Sequence, residues 1–179
     1  MEAIMKYADM VQKSKFLSLI LRHDPARFNV MLDDNGFADV TQVLAVTGLT
    51  KSELYCVVAN NDKQRFSFSS DKQKIRAVQG HSIKVDLQLT EKIPPETLFH
   101  GTAKQNVHSI VSNGINKGER NYVHLSADVG TAQKVGQRHG EPVVLIILAG
   151  AMQRAGYRFY QSENGIWLTE KIPPKFIQG

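Results

Sequence analysis

The chain has 179 residues, 42% of them hydrophobic, which suits one large domain or two small ones and argues against disorder. Lysine and arginine outnumber aspartate and glutamate 22 to 17, a net charge of +5 that is compatible with a polyanionic partner without requiring one. The single cysteine, Cys56, excludes an internal disulfide and any CxxC metal or redox motif. The start, MEAIMKYADMVQKS, lacks the apolar core of a signal peptide, and no 18-residue apolar run occurs, so a cytoplasmic protein with no membrane partner is expected.

In chain order, residues 5–23 show helical spacing, with Met10, Ser14, Leu17 and Leu21 on one face and Pro25 as the stop. This helix ends LSLILRHDP, on adjacent Arg22 and His23. A basic last turn is ordinary helix capping, but Arg also offers the planar donor fork that fits phosphate. DDNGF (33–37) reads as a turn, and TQVLAVTG (41–48) as a short helix closed by Gly48. Thr50-Lys51-Ser52-Glu53 has the capping-box pattern and opens a third helix containing Cys56. RFSFS (65–69) and IRAV (75–78) alternate around a polar turn, which predicts a hairpin. Three helices and a hairpin over roughly residues 1–80 is the layout of a winged-helix module. IKVDLQL (83–89) is a strand candidate, and the Pro-Pro pair after it suggests a boundary.

The second half alternates strands and helices. TLFHG (97–101) predicts a strand, AKQNVHSIVSNG (103–114) a helix, YVHLS (122–126) a strand, and DVGTAQKVGQRHG (128–140) a helix with Ser126 as its N-cap. VVLIILA (143–149) has the continuous apolar character of a central strand, and RFYQSENGIWLTEKI (158–172) reads as two strands around ENG. The expected fold class is α+β, with residues 1–85 forming a winged-helix-like lobe and 86–179 a second lobe with a mostly β core.

No GxxxxGK[ST], HExxH, GxSxG or GxGxxG occurs, and the six histidines lack zinc-site spacing, so no metal is expected and any nicotinamide cofactor is not held in the Rossmann manner. What remains is a set of histidines and arginines at strand ends and loops. His100 stands beside Gly101, where backbone could approach a ligand, and His124 lies between Val123 and Leu125 on the opposite strand face. Taken singly, each of these histidines is as well explained by a buried structural role, and Arg65 and Arg120 by solvated charges.

Taken together, SKFLSLILRHDP, NDKQRFSF, IRAVQGHS, FHGT, ERNYVHLSAD and NGIWLTEKIPP resemble, in order and over nearly the whole length, the KptA-type RNA 2′-phosphotransferases. The resemblance implies an N-lobe of winged-helix type joined to a C-lobe with the ADP-ribosyltransferase fold, the site lying in a cleft between them. It implies that an internal RNA 2′-phosphate attacks C1″ of NAD⁺ and expels nicotinamide. The ribose 2″-hydroxyl then attacks phosphorus, leaving 2′-OH RNA and ADP-ribose 1″,2″-cyclic phosphate. The family's catalytic set falls on Arg22, His23, Arg65 and Arg120, and NAD⁺ contacts fall on His100, Gly101, Thr102, His124 and Ser126. The glutamate of many protein-modifying relatives is replaced here at or beside Ile166. The partners implied are NAD⁺, consumed as co-substrate, and a tRNA-like RNA carrying an internal 2′-phosphate, such as one tRNA-splicing route leaves; a monomer is expected. Competing readings are transfer of ADP-ribose to terminal nucleic-acid phosphates, a metal-free RNase with paired histidines, and a winged-helix DNA-binding regulator. Against the last, TKSELYCVVANN carries only Lys51 and Glu53 as charges, few for a recognition helix.

Overall fold

In the computed structural model, which describes residues 7–178, helix α1 spans Tyr7–Arg22; residues 5 and 6 of the expected helix lie outside the described stretch. Its apolar face places Leu17, Ile20 and Leu21 wholly out of solvent, each contributing about 2 kcal/mol relative to exposure. The N–H groups of His23 and Asp24 both donate to the Leu19 carbonyl, and Pro25 then opens a 3-10 turn, Ala26–Phe28. In the following turn the Asp33 carboxylate accepts from the N–H groups of Asn35 and Phe37, and Gly36 takes φ +78°.

Strand β1 (Phe37–Asp39) comes next, and Asp39 also caps helix α2 (Val40–Thr47) by accepting from Thr41 N–H. Gly48 closes α2 in the left-handed conformation. Helix α3 (Lys51–Ala59) begins with the expected reciprocal capping box between Thr50 and Glu53. Strands β2 (Phe66–Phe68) and β3 (Lys74–Ala77) form the expected hairpin, and β1 pairs with β3 on its other edge, giving a sheet of order β1-β3-β2. The expected strand at residues 83–89 does not form. Asp86 N–H is taken by the Asp34 carbonyl, and Gln88, at φ +53°, turns its N–H back to the Asp86 carboxylate, so the segment has no ladder to join.

The chain divides into two compact units, the first ending at Gln88 and the second beginning at Leu89. In the second, β4 (Leu98–Ala103) leads into α4 (Lys104–Asn113), then β5 (Ile115–Asn116), β6 (Val123–Leu125) and α5 (Val129–Gly136). After β7 (Pro142–Ile147) come α6 (Ala149–Arg154), β8 (Tyr160–Gln161), β9 (Trp167–Thr169), β10 (Lys171–Ile172) and β11 (Ile177–Gln178). The antiparallel sheets are β11-β7-β4, β6-β9-β8 and β10-β5. β7 is central, as its apolar run suggests, although the end of that run turns into α6. Helix α5 is shorter than expected, and its N-cap is Asp128, whose carboxylate accepts from Thr131 N–H, not Ser126. Ser126 is already committed to a backbone bridge, exchanging both hydrogen bonds with Phe99 of β4. The observed class is thus mixed α+β.

Candidate functional site

In the N-terminal unit three of the expected residues come together. Arg22, half-buried at the end of α1, donates from Nη2 to the Arg65 carbonyl at 3.5 Å. Gly80 lies against the Arg22 guanidinium: a Cβ there would sit 3.4 Å from Nη1, at a φ of +87°. His23 is exposed, and its Nδ1 lies 2.9 Å from Ser82 Oγ. The Ser82 N–H donates to the Arg22 carbonyl at 3.0 Å, so the loop carrying Gly80 and Ser82 closes over the helix terminus. Helix ends leave unpaired carbonyls, and this loop supplies a donor to one of them.

Arg65 is aimed from below. The side-chain oxygen of Asn61 accepts from both the backbone N–H and Nη1 of Arg65, at 3.2 and 3.3 Å. The amide of buried Asn61 in turn donates to buried Ser14 Oγ at 2.7 Å, tying Arg65 to α1. The ion pair of Arg65 with Asp62 is long, 3.8 Å, to a carboxylate that is 72% exposed, so it holds the guanidinium only weakly. Sequence reasoning did not single out Asn61, Gly80 or Ser82. Asn61 and Gly80–Ser82 lie within the stretches NDKQRFSF and IRAVQGHS, but their roles depend on contacts 47 to 60 positions away.

His81 is 1% exposed, and neither of its ring nitrogens hydrogen-bonds to a described residue. Burial first, then the charges of Arg22, His23 and Arg76, push its pKa from 6.5 down to about 4. It therefore adds bulk beside the cations without adding charge at neutral pH. Between pH 6.5 and 4 the unfolded chain takes up a proton at this residue that the folded chain refuses. Stability is therefore fully present above pH 6.5 and falls as pH drops toward 4, by about 3 kcal/mol for this group. Urea unfolding of the wild type and His81→Gln at pH 7.5 and 4.5 checks this. The loss on acidification should shrink in the variant; an equal loss in both would assign it to other groups.

In the C-terminal unit, β4 carries His100, Gly101 and Thr102. His100 Nδ1–H donates to the His124 carbonyl at 3.3 Å, which leaves Nε2 as the acceptor of a neutral ring. Burial is the main cause holding the His100 pKa below its ordinary value, with the bond to His124 opposing it. Thr102, two positions along and buried, accepts from the Asn106 amide at 3.4 Å. Ser126 is buried beside Phe99. Gly101 points to the other face of the strand. A Cβ there would lie 1.7 Å from the Ala132 carbonyl oxygen of α5, and one on Gly136 would lie 2.8 Å from the Thr102 carbonyl oxygen. The α5 backbone by itself thus requires glycine at 101. Arg120 stands exposed in the turn before β6, its N–H donating to the Lys117 carbonyl. Ile166 precedes β9 and accepts from Ser162 N–H through its carbonyl.

An α+β chain that gathers two arginines and a histidine at one helix end, and sets a half-buried neutral histidine near buried hydroxyl groups on a separate pair of strands, offers basic donors in one unit and polar, uncharged groups in the other. The chain belongs to the RNA 2′-phosphotransferase, Tpt1/KptA family, which it matches over residues 8–171. It is similar to the probable RNA 2′-phosphotransferase of Hahella chejuensis, with 50% identity over 92% of this chain and 91% of that protein. The proteins of the same description from Flavobacterium johnsoniae (49%, covering 92% and 93%) and Nostoc punctiforme (47%, covering 94% and 96%) are similar to the same degree.

Proposed function

We propose that this chain removes an internal 2′-phosphate from RNA in an NAD⁺-dependent reaction that yields 2′-OH RNA, nicotinamide and ADP-ribose 1″,2″-cyclic phosphate. The observation that carries the reading is the gathering of Arg22, His23 and Arg65 at the end of α1. A phosphomonoester, with its second pKa near ~6, is largely a dianion at pH 7 and needs no base to become a nucleophile. It needs positioning and charge compensation, which guanidinium forks supply. Mutual repulsion among cations held this closely is relieved when a dianion binds between them. Arg120, in the second unit, is proposed as a further catalytic cation.

NAD⁺ supplies an electrophilic ribose carbon with nicotinamide as leaving group. His100, Gly101, Thr102, His124 and Ser126 are proposed to hold it. The half-buried, neutral His100 ring, with Nδ1–H engaged, suits a ribose hydroxyl donating to Nε2, so the donor set fits the group. The first unit is proposed to be a lobe of winged-helix type, for which the order α1-β1-α2-α3-β2-β3 speaks, and the second a lobe of ADP-ribosyltransferase type.

The test is a short RNA carrying one internal 2′-phosphate, incubated with the protein with and without NAD⁺. Loss of the phosphate only with NAD⁺, with nicotinamide released, is the expected result. Removal without NAD⁺, or no removal at all, overturns the proposal, as does modification confined to a terminal phosphate.

A further inference from the structure

Ser82 contacts both Arg22 and His23 at the end of α1. Its hydroxyl lies 2.9 Å from His23 Nδ1 and 3.5 Å from the Arg22 carbonyl, and its N–H caps that same carbonyl at 3.0 Å. The backbone bond places the residue, and the side chain then reaches the ring of the neighbouring histidine.

We infer that Ser82 is the positioning residue for His23: its hydroxyl occupies Nδ1 and fixes the imidazole so that Nε2 is the nitrogen presented to the RNA phosphate. This rests on the proposed role of His23 at that phosphate. A hydroxyl suits the position because it can donate as well as accept. When the ring is neutral at Nδ1, the Ser82 O–H donates to that nitrogen. When the ring is cationic, Nδ1–H donates to Ser82 Oγ and the hydroxyl hydrogen turns to the Arg22 carbonyl. Both charge states keep a hydrogen on Nε2, where a phosphate oxygen can accept it. Alanine has neither capacity; threonine has both.

Ser82→Ala keeps the backbone cap and alters an exposed side chain, so the fold should survive. Turnover of 2′-phosphorylated RNA is measured in wild type, Ser82→Ala and Ser82→Thr, together with melting temperature and a pH titration of the His23 imidazole nitrogens by ¹⁵N NMR. The expected result is a kcat lowered about tenfold or more in Ser82→Ala, with KM for NAD⁺ and melting temperature unchanged, a displaced His23 titration, and recovery of both in Ser82→Thr. A Ser82→Ala protein whose kcat and His23 titration match the wild type overturns the inference. A loss of kcat that follows a lowered melting temperature and is not recovered by threonine also overturns it. If the wild type shows no turnover, the proposed function fails instead, and the His23 titration in Ser82→Ala alone decides whether Ser82 holds the ring.

Discussion

Arg22→Lys should lower kcat on 2′-phosphorylated RNA by about 10²–10³-fold while leaving the fold in place, an effect of the size seen when one donor aimed at developing charge is removed. Lysine keeps the charge and loses the geometry. Arg22 directs Nη2 to the Arg65 carbonyl and has Gly80 packed close to Nη1, so the guanidinium lies in a defined plane. A planar fork can bond one neighbour and still offer parallel N–H groups to phosphate, whereas an ammonium is a point charge on a flexible stem. Steady-state kinetics beside a thermal melt checks this. The loss should be in kcat, with unfolding displaced by no more than about 2 kcal/mol, because one hydrogen bond from a charged donor contributes on that order. Near-normal turnover by Arg22→Lys would show that charge alone suffices at this position.

Gly101→Ala should destabilise the protein by about 3 kcal/mol, the upper end of what over-packing costs. The new methyl would sit 1.7 Å from the Ala132 carbonyl oxygen. That obstacle is helix backbone, which cannot swing aside as the end of a side chain would. α5 must lift from β4, and Gly136, packed against the Thr102 carbonyl, must move with it. Gly118→Ala is the control: nothing lies within 4 Å of its Cβ position, and only its φ of +60° opposes the change, at about 1 kcal/mol. Chemical denaturation of the two variants should separate them clearly. Equal losses would mean that the α5–β4 seam is looser than the contact distances imply. On the proposed assignment of His100 and Thr102, which flank Gly101 on β4, to NAD⁺, any Gly101→Ala protein that does fold should also bind NAD⁺ more weakly.

Local chemistry made much of this fold legible. The capping box at Thr50, the stop at Gly48, the 66–77 hairpin and the central strand at 142–147 each rest on patterns contained in a few adjacent residues. What could not be read depends on distant partners. β1 is three residues long and exists because β3 lies alongside it. Residues 83–89 alternate like a strand but have no strand to pair with. Ser126 and Asp128 are both good N-cap types, and the choice fell to Asp128 because the Ser126 backbone is bound to Phe99.

The site divides in the same way. Arg22, His23, Arg65 and Arg120 stood out as a set only through resemblance to a family, since each alone looks like a cap or a solvated charge. The family is confirmed by the match over residues 8–171. The supports beneath those residues, Asn61 under Arg65 and Ser82 beside His23, carry no local signature at all. Gly101 is the opposite case. Its being glycine was legible, but the backbone that demands it was not.

The pairing of His23 with Ser82 across 59 positions has a consequence for synthesis. Arg22 and His23 are made early, yet Ser82 and Ile83, which bond the His23 ring and the Arg22 carbonyl, are among the last residues of their unit to be made. Until residue 83 has left the ribosome, the end of α1 has no cap from this loop and the imidazole has no hydroxyl beside it. Drawing together segments so far apart costs entropy that rises only slowly with separation, so the distance is tolerable once both ends are present. A nascent chain halted shortly before residue 80 would therefore already possess helix, turn and hairpin residues. Its His23, however, would still lack the Ser82 hydroxyl, and its Arg22 carbonyl the N–H groups of residues 82 and 83.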